Sequence, residues 1–220
     1  GKMKKKALIL AVALAACTTS VTFATPQTQW DKGETQIDLN GWNTKASLDG
    51  FDTDNKWNFG GGITYGLSDK LALQYEYYGL KTKYKYAGSD YDATTGNSQE
   101  VNLLYSVNKN FAVYGGWDRI KNSTDGYSKN NNVAQFGVIA KAPLGKNFDV
   151  YAKGAVGSNK TSMWEAGIGY TVAKDWDITV GYRQLDTKAN DDYNIKYKGL
   201  IAGISYRFGG HKAVPAAAPV

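Results

Sequence analysis

The sequence predicts an all-β protein, an antiparallel up-and-down β-barrel of ten strands. Three observations predict it. Apolar and polar residues alternate with period two from Glu34 to Phe208, the mark of strands with two unlike faces. The 220 residues include 25 Gly and 16 Tyr against 4 Pro, a composition that suits sheets with close backbone approaches. Finally, short and long connections take turns along the chain, as a meander requires.

Residues 1–24 read as a secretory signal peptide. Lys4, Lys5 and Lys6 form a basic start, and Ala7–Ala16 is an apolar run too short to cross a bilayer as a helix. Thr22-Phe23-Ala24 then offers small residues three and one before a cut. An uncleaved membrane anchor is one alternative. Cleavage before Cys17, in Leu14-Ala15-Ala16-Cys17, with lipidation of that cysteine, is another. Without residues 1–24, which hold four lysines and no acid, 22 Lys+Arg face 20 Asp+Glu. That balance removes the clustered surplus a nucleic-acid partner needs. One Cys excludes a disulfide framework and a Cys-based zinc site.

Ten alternating segments follow, at 34–45, 56–66, 70–81, 98–107, 111–121, 132–142, 148–157, 162–172, 176–186 and 195–208. Trp176-Asp177-Ile178-Thr179-Val180-Gly181-Tyr182-Arg183 shows the pattern: Trp, Ile, Val and Tyr on one face, Asp, Thr, Gly and Arg on the other. Short turns are expected at 67–69, 108–110, 144–147 and 173–175. Polar loops are expected at 46–55, 82–97, 122–131 and 187–194, with a shorter one at 158–161. If 148–172 formed no hairpin, eight strands would remain. Pro26, Pro143, Pro215 and Pro219 all fall in turns or tails, clear of strand interiors. An even strand number lets the first and last strands meet and removes the exposed edges.

Alternation alone does not say which face is buried, since a soluble barrel hides its apolar face and a membrane barrel exposes it. The charges favour the membrane. Asp38, Glu76, Asp118, Lys141, Asp149, Lys153, Glu165, Asp177, Arg183 and Arg207 share the polar face and are candidate lumen-lining residues. The apolar face carries rings near the segment ends: Trp57, Tyr65, Phe111, Trp117, Phe148, Trp164, Tyr170, Trp176, Tyr182, Tyr206 and Phe208. Rings at both ends with aliphatics between are expected of an interfacial aromatic girdle. The resulting organisation is a signal at 1–24, a short periplasmic segment at 25–33, a barrel at 34–208 and a Gly/Pro/Ala-rich periplasmic tail at 209–220. Long loops face outward.

The signal, the meander of about ten-residue strands and the closing Gly203-Ile204-Ser205-Tyr206-Arg207-Phe208 resemble the small outer-membrane β-barrels of the OmpA-like porin superfamily. The final alternation with its terminal Phe is similar to that family's C-terminal assembly signal, which implies the barrel-assembly machinery as a partner. It also implies a Gram-negative-type outer membrane, with membrane lipid and lipopolysaccharide as neighbours. Two features depart from the classical pattern. That barrel has eight strands, and here a tail ending VPAAAPV leads to no peptidoglycan-binding domain.

Enzymatic readings find little support. Barrel proteases resembling omptins need a His–Asp pair at the outer rim, and barrel lipases and acyltransferases need His beside Ser. The one histidine, His211, follows the last segment. No catalytic residue, cofactor or metal is assigned. Asp49, Asp52 and Asp54, or Asp90 with Asp92, lack the spacing of a calcium loop. Gly60-Gly61-Gly62 precedes no helix that would make it a phosphate loop.

Two roles remain open for the lumen. Inward charges could line a narrow pore for ions and small solutes, or pair across it and close it; ten strands lie near the closed end of barrel sizes. Inward Trp42, Tyr78, Tyr114 and Tyr151 would fill space. Inward Gly60, Gly62, Gly116, Gly137, Gly167, Gly169, Gly181 and Gly203 would release it. The expected function is non-enzymatic, as an envelope structural protein or porin-like channel. The alternative is a surface adhesin or receptor whose loops contact an extracellular ligand through Tyr84, Tyr86, Tyr91 and Tyr127. Lys56, Lys81, Lys121 and Lys129 could meet lipopolysaccharide phosphates, with no specific site assigned.

Overall fold

A computed structural model describes residues 26–210. The signal segment with Cys17, as well as His211 and the rest of the tail, lies outside those residues.

Period-two alternation gives long strands and little else. They are β1 (Glu34–Leu48), β2 (Phe51–Asp52), β3 (Lys56–Gly66), β4 (Leu71–Tyr86), β5 (Ser89–Asn108), β6 (Phe111–Thr124), β7 (Tyr127–Pro143), β8 (Phe148–Gly157), β9 (Thr161–Ala173), β10 (Trp176–Lys188) and β11 (Asn194–Gly209). Each pairs antiparallel with its sequence neighbour, except that β2 and β3 both pair with β1. The two-residue β2 continues the column of β3 along the same edge of β1, so ten strands make the wall. The last strand meets the first from Glu34↔Gly209 to Leu48↔Ile195, and the barrel is closed. Closure leaves no unpaired edge.

The hairpin β8–β9 pairs from Phe148↔Tyr170 to Gly157↔Thr161, which removes the eight-strand alternative. Left-handed backbone at Asn159 (φ 56°) and Lys160 (φ 52°) closes its turn. Pro143 is the last residue of β7, opposite Asp149, and does not lie in a turn.

Two expected loops are strands. Residues 82–97 extend β4 and β5 into a hairpin closed by Ala87-Gly88, both at positive φ (53° and 81°), the twist a two-residue hairpin turn requires. Residues 122–131 do the same around Asp125-Gly126. Polar composition suggested loops there, but cross-strand pairing supports the ladder: Lys83 faces Asp92, Tyr84 faces Tyr91 and Lys85 faces Asp90. Tyr84, Tyr86, Tyr91 and Tyr127 therefore stand on strands.

The burial pattern decides between the two barrel types. Phe59 is 88% exposed, whereas Lys141 and Arg183 are 1% exposed. Large apolar side chains point outward all around the wall, and charges point in. That is the inverted pattern of a membrane barrel.

Candidate functional site

The lumen holds the charged candidates. All ten predicted lumen residues occupy inward positions of their strands, and Glu34, Glu100, Gln135 and Asn102 join them. Local alternation could have supplied these four, because they share the same inward parity.

At mid-height two cations organise the lumen. Lys153 of β8 approaches Glu76 of β4 at 3.2 Å and 3.4 Å, and Tyr78 Oη donates to the same carboxylate at 3.0 Å. Arg183 of β10 meets Glu165 at 3.1 Å and Glu100 at 3.6 Å. Its guanidinium lies 3.7 Å over the Tyr78 ring and 5.5 Å from that of Trp42, while Trp42 and Tyr78 meet edge-on at 6.2 Å. Tyr151 donates to Glu165 at 2.7 Å. Gln135 donates to Glu100 at 2.6 Å and to Asn102 at 2.9 Å. Asp118 accepts from Ser98 at 2.8 Å, and Asp38 from Ser205 at 2.5 Å and Gln36 at 2.8 Å. In a low-dielectric interior a charge must be paired and hydrogen-bonded.

Glycines make room for this layer. A Cβ on Gly137 would fall 2.1 Å from Cζ of Tyr114, and Cβ atoms on Gly167 and Gly181 would fall within 3.0 Å of the Tyr151 ring or its hydroxyl. Glycine at these three positions therefore accommodates inward rings lying against the wall.

The ends of the lumen differ from its middle. Toward the loops, Leu80, Ile120, Val133, Met163, Leu185 and Ile195 are buried together, with Tyr197 donating to Asn122 at 2.8 Å. Toward the short turns, Arg207 pairs with Asp177 and reaches Glu34 at 4.0 Å. The N-terminal segment enters this mouth. Thr28 donates to the Lys109 carbonyl at 2.5 Å, Gln27 accepts from Lys141 at 3.5 Å, and Trp30 is buried beside Gly66. Sequence reading placed residues 25–33 at this end, but no periodic signal revealed that residues 26–33 pack inside it.

Small cavities remain among the described residues. One of about 60 Å³ lies among Pro26, Asp38, Glu76, Tyr151, Lys153 and Glu165, and one of about 10 Å³ among Glu100, Asp118, Gln135 and Arg183. The first has space for about four waters and the second for about one.

Outside, all eleven girdle candidates occupy outward positions, with Phe111 and Tyr182 half-buried. Near the short-turn rim Phe148 and Tyr170 lie 4.5 Å apart and Trp176 and Tyr206 4.6 Å apart, with Phe208 5.8 Å from Tyr206. At the loop-side rim Trp164 stacks on Tyr182 at 5.5 Å. On the β4–β5 hairpin Tyr84 and Tyr91 stack at 5.6 Å, and Tyr86 and Tyr127 are exposed. Asp52, Asp90 and Asp92, considered as calcium ligands, lie against Lys45, Lys83 and Lys56. The Ser47 hydroxyl, with Lys45 and Lys198 nearby, holds the Asp52 carboxyl below its ordinary value.

The family model described as outer membrane protein beta-barrel domain matches residues 9–208. No curated protein matches the chain. Among solved structures it is similar to Ail, the attachment invasion locus protein of Yersinia pestis, at 15% identity over 80% of this chain and 99% of that one, TM-score 0.42. Neisserial surface protein A matches at 16% identity over 80% and 96%, TM-score 0.43. The N-terminal β-barrel domain of Pseudomonas aeruginosa OprF matches at 11% over 81% and 100%, TM-score 0.34.

Proposed function

The chain belongs to the outer membrane protein beta-barrel domain family, and on that premise we propose that it is a closed, non-enzymatic barrel of a Gram-negative-type outer membrane. It serves there as a structural protein of the envelope and not as a conducting pore. It is exported by its signal, inserted with its hairpins outward, and assembled through its C-terminal strand.

One observation carries the reading: Arg183, Tyr78 and Trp42 stack across the middle of the lumen, with Arg183 held by Glu165 and Glu100. The apolar cluster above it and the N-terminal segment below it support the same reading. A hydrated ion would have to break a buried ion pair and pass an apolar layer, both of which resist entry.

Planar-bilayer recording of the refolded barrel tests this. A silent bilayer is expected from protein whose heat-dependent gel mobility reports a folded barrel. Reproducible steps whose ion selectivity shifts on charge reversal at Lys153 would establish the narrow channel instead.

A second reading, a surface-binding protein, is favoured by the stacked Tyr84–Tyr91 pair on the projecting β4–β5 hairpin. Replacing residues 83–92 by a short turn would abolish adhesion to a host-cell surface and leave barrel folding intact if that reading holds.

A further inference from the structure

On the lipid-facing side of β6, Trp117, Arg119 and Lys121 follow one another at alternate positions toward the loops. Trp117 is 53% exposed and belongs to the aromatic row. Arg119 and Lys121 are exposed one and two rows beyond it, at the level where lipid headgroups begin. The register sets Gln99 and Asn132 on either side of Arg119, and Asn97 and Asn130 on either side of Lys121, with Cβ atoms about 5 Å apart.

The outward positions that flank Arg119 and Lys121 carry no carboxylate. The carboxylates of the β5 tip, Asp90 and Asp92, are engaged by Lys83 and Lys56, and neither Arg119 nor Lys121 forms an ion pair among the described residues. Two other rim cations differ. Lys45 has Asp52 at 3.6 Å, and Lys196 faces Asp186 across the ladder. The surrounding amides are also oriented. Asn132 Oδ1 accepts from Trp117 Nε1 at 3.4 Å, and Asn97 Oδ1 accepts from Gln99 Nε2 at 3.4 Å, while Tyr75 occupies Gln99 Oε1 at 3.0 Å. With their oxygens engaged, Asn97 and Asn132 present NH₂ groups. The patch therefore offers two cations and amide donors above an exposed indole.

We propose that this face of β5–β7 docks the phosphorylated sugar headgroup of an outer-leaflet glycolipid. Arg119 and Lys121 take the phosphate, Asn97 and Asn132 donate to sugar oxygens, and an acyl chain lies along Trp117 and the apolar wall below it. The inference rests on the outward orientation of the hairpins and is independent of whether the lumen conducts.

The test uses the full barrel in non-ionic detergent, with bound lipid counted by native mass spectrometry. The probes are bis-phosphorylated lipid A, its dephosphorylated form and phosphatidylglycerol. Lipid A is expected to bind best. The Arg119→Ala/Lys121→Ala variant should bind it about thirtyfold more weakly, from about fivefold per surface cation. The Arg119→Lys/Lys121→Arg variant should retain most binding, and Lys45→Ala/Lys198→Ala should bind like the unaltered protein. Heat-dependent gel mobility confirms folding in each case.

Equal binding by unaltered and Arg119→Ala/Lys121→Ala protein would overturn the site. So would an equal loss in the Lys45→Ala/Lys198→Ala control. Phosphatidylglycerol binding as well as lipid A would overturn the glycolipid assignment. A conducting barrel that still binds lipid A would refute the closed lumen alone, and a silent barrel indifferent to lipid A would refute this site alone.

Discussion

Arg183 and Arg119 lie on strands of one barrel, yet their surroundings are opposite. Arg183 points into the lumen, where Glu165, Glu100 and the ring of Tyr78 enclose it. Arg119 points out, between Gln99 and Asn132, with no carboxylate on the neighbouring outward positions. The difference follows from what each face meets. The lumen has too little water to solvate a lone charge, so its cations must find protein anions. The loop-side rim meets headgroups, which bring anions of their own, so a cation there can remain unpaired within the protein. Pairing inside and openness outside are the same electrostatic rule applied in two solvents.

The strongest way to break that comparison is to remove Arg183. Arg183→Ala leaves Glu165 and Glu100 uncompensated in the lumen, and should lower unfolding stability by about 3–5 kcal/mol, read as a shift of the denaturant midpoint in lipid. A triple variant that also carries Glu165→Gln and Glu100→Gln should recover much of the loss. If the single variant were as stable as the unaltered barrel, the ion pair would not be organising the lumen.

Size tests the two faces next. Trp42→Ala empties the inward layer and should cost about 3–5 kcal/mol. Phe59→Ala, on the lipid side, should change stability by less than about 1 kcal/mol, because lipid tails fill the space the ring leaves. Equal effects would dissolve the distinction between a packed inside and a solvated outside. Gly137→Ala should cost about 1–3 kcal/mol by displacing the Tyr114 ring, and the added substitution Tyr114→Leu should relieve part of it.

The hairpin should respond least. Tyr84→Ala removes a stacked pair worth about 0.5–1.5 kcal/mol, which should speed proteolysis of residues 81–96 without moving the barrel's midpoint. At Asp52 the depressed carboxyl favours the local fold at neutral pH. That contribution is lost as pH falls through its lowered value, and NMR of the carboxyl carbon should show it titrating below the ordinary aspartate value.

The ten-strand count, the inward and outward parity and the aromatic rows were all legible in the sequence. Each depends on period two, which is a local property: once one residue of a strand faces in, its neighbours' directions follow. The parity of Glu100, Gln135 and Arg119 was equally available. The hairpin extensions were less visible, since Lys83, Tyr84 and Lys85 read as loop until Asp92, Tyr91 and Asp90 are set opposite them.

Tertiary structure alone decided how the lumen is filled. Lys153 and Glu76 are 77 residues apart in sequence, and Arg183 finds Glu165 on the next strand but Glu100 across the barrel. Parity places these groups inside without saying which will touch, because that depends on strand stagger and on rotamers packed against Tyr78 and Trp42. The inward glycines show the same limit. As composition they suggested free space, which Gly62 and Gly203 do border at the cavity beside Asp38, but at Gly137, Gly167 and Gly181 the rings of Tyr114 and Tyr151 occupy it. Direction is set by the backbone and is readable residue by residue; occupancy is set by side chains meeting from distant strands, and only the closed barrel brings them together.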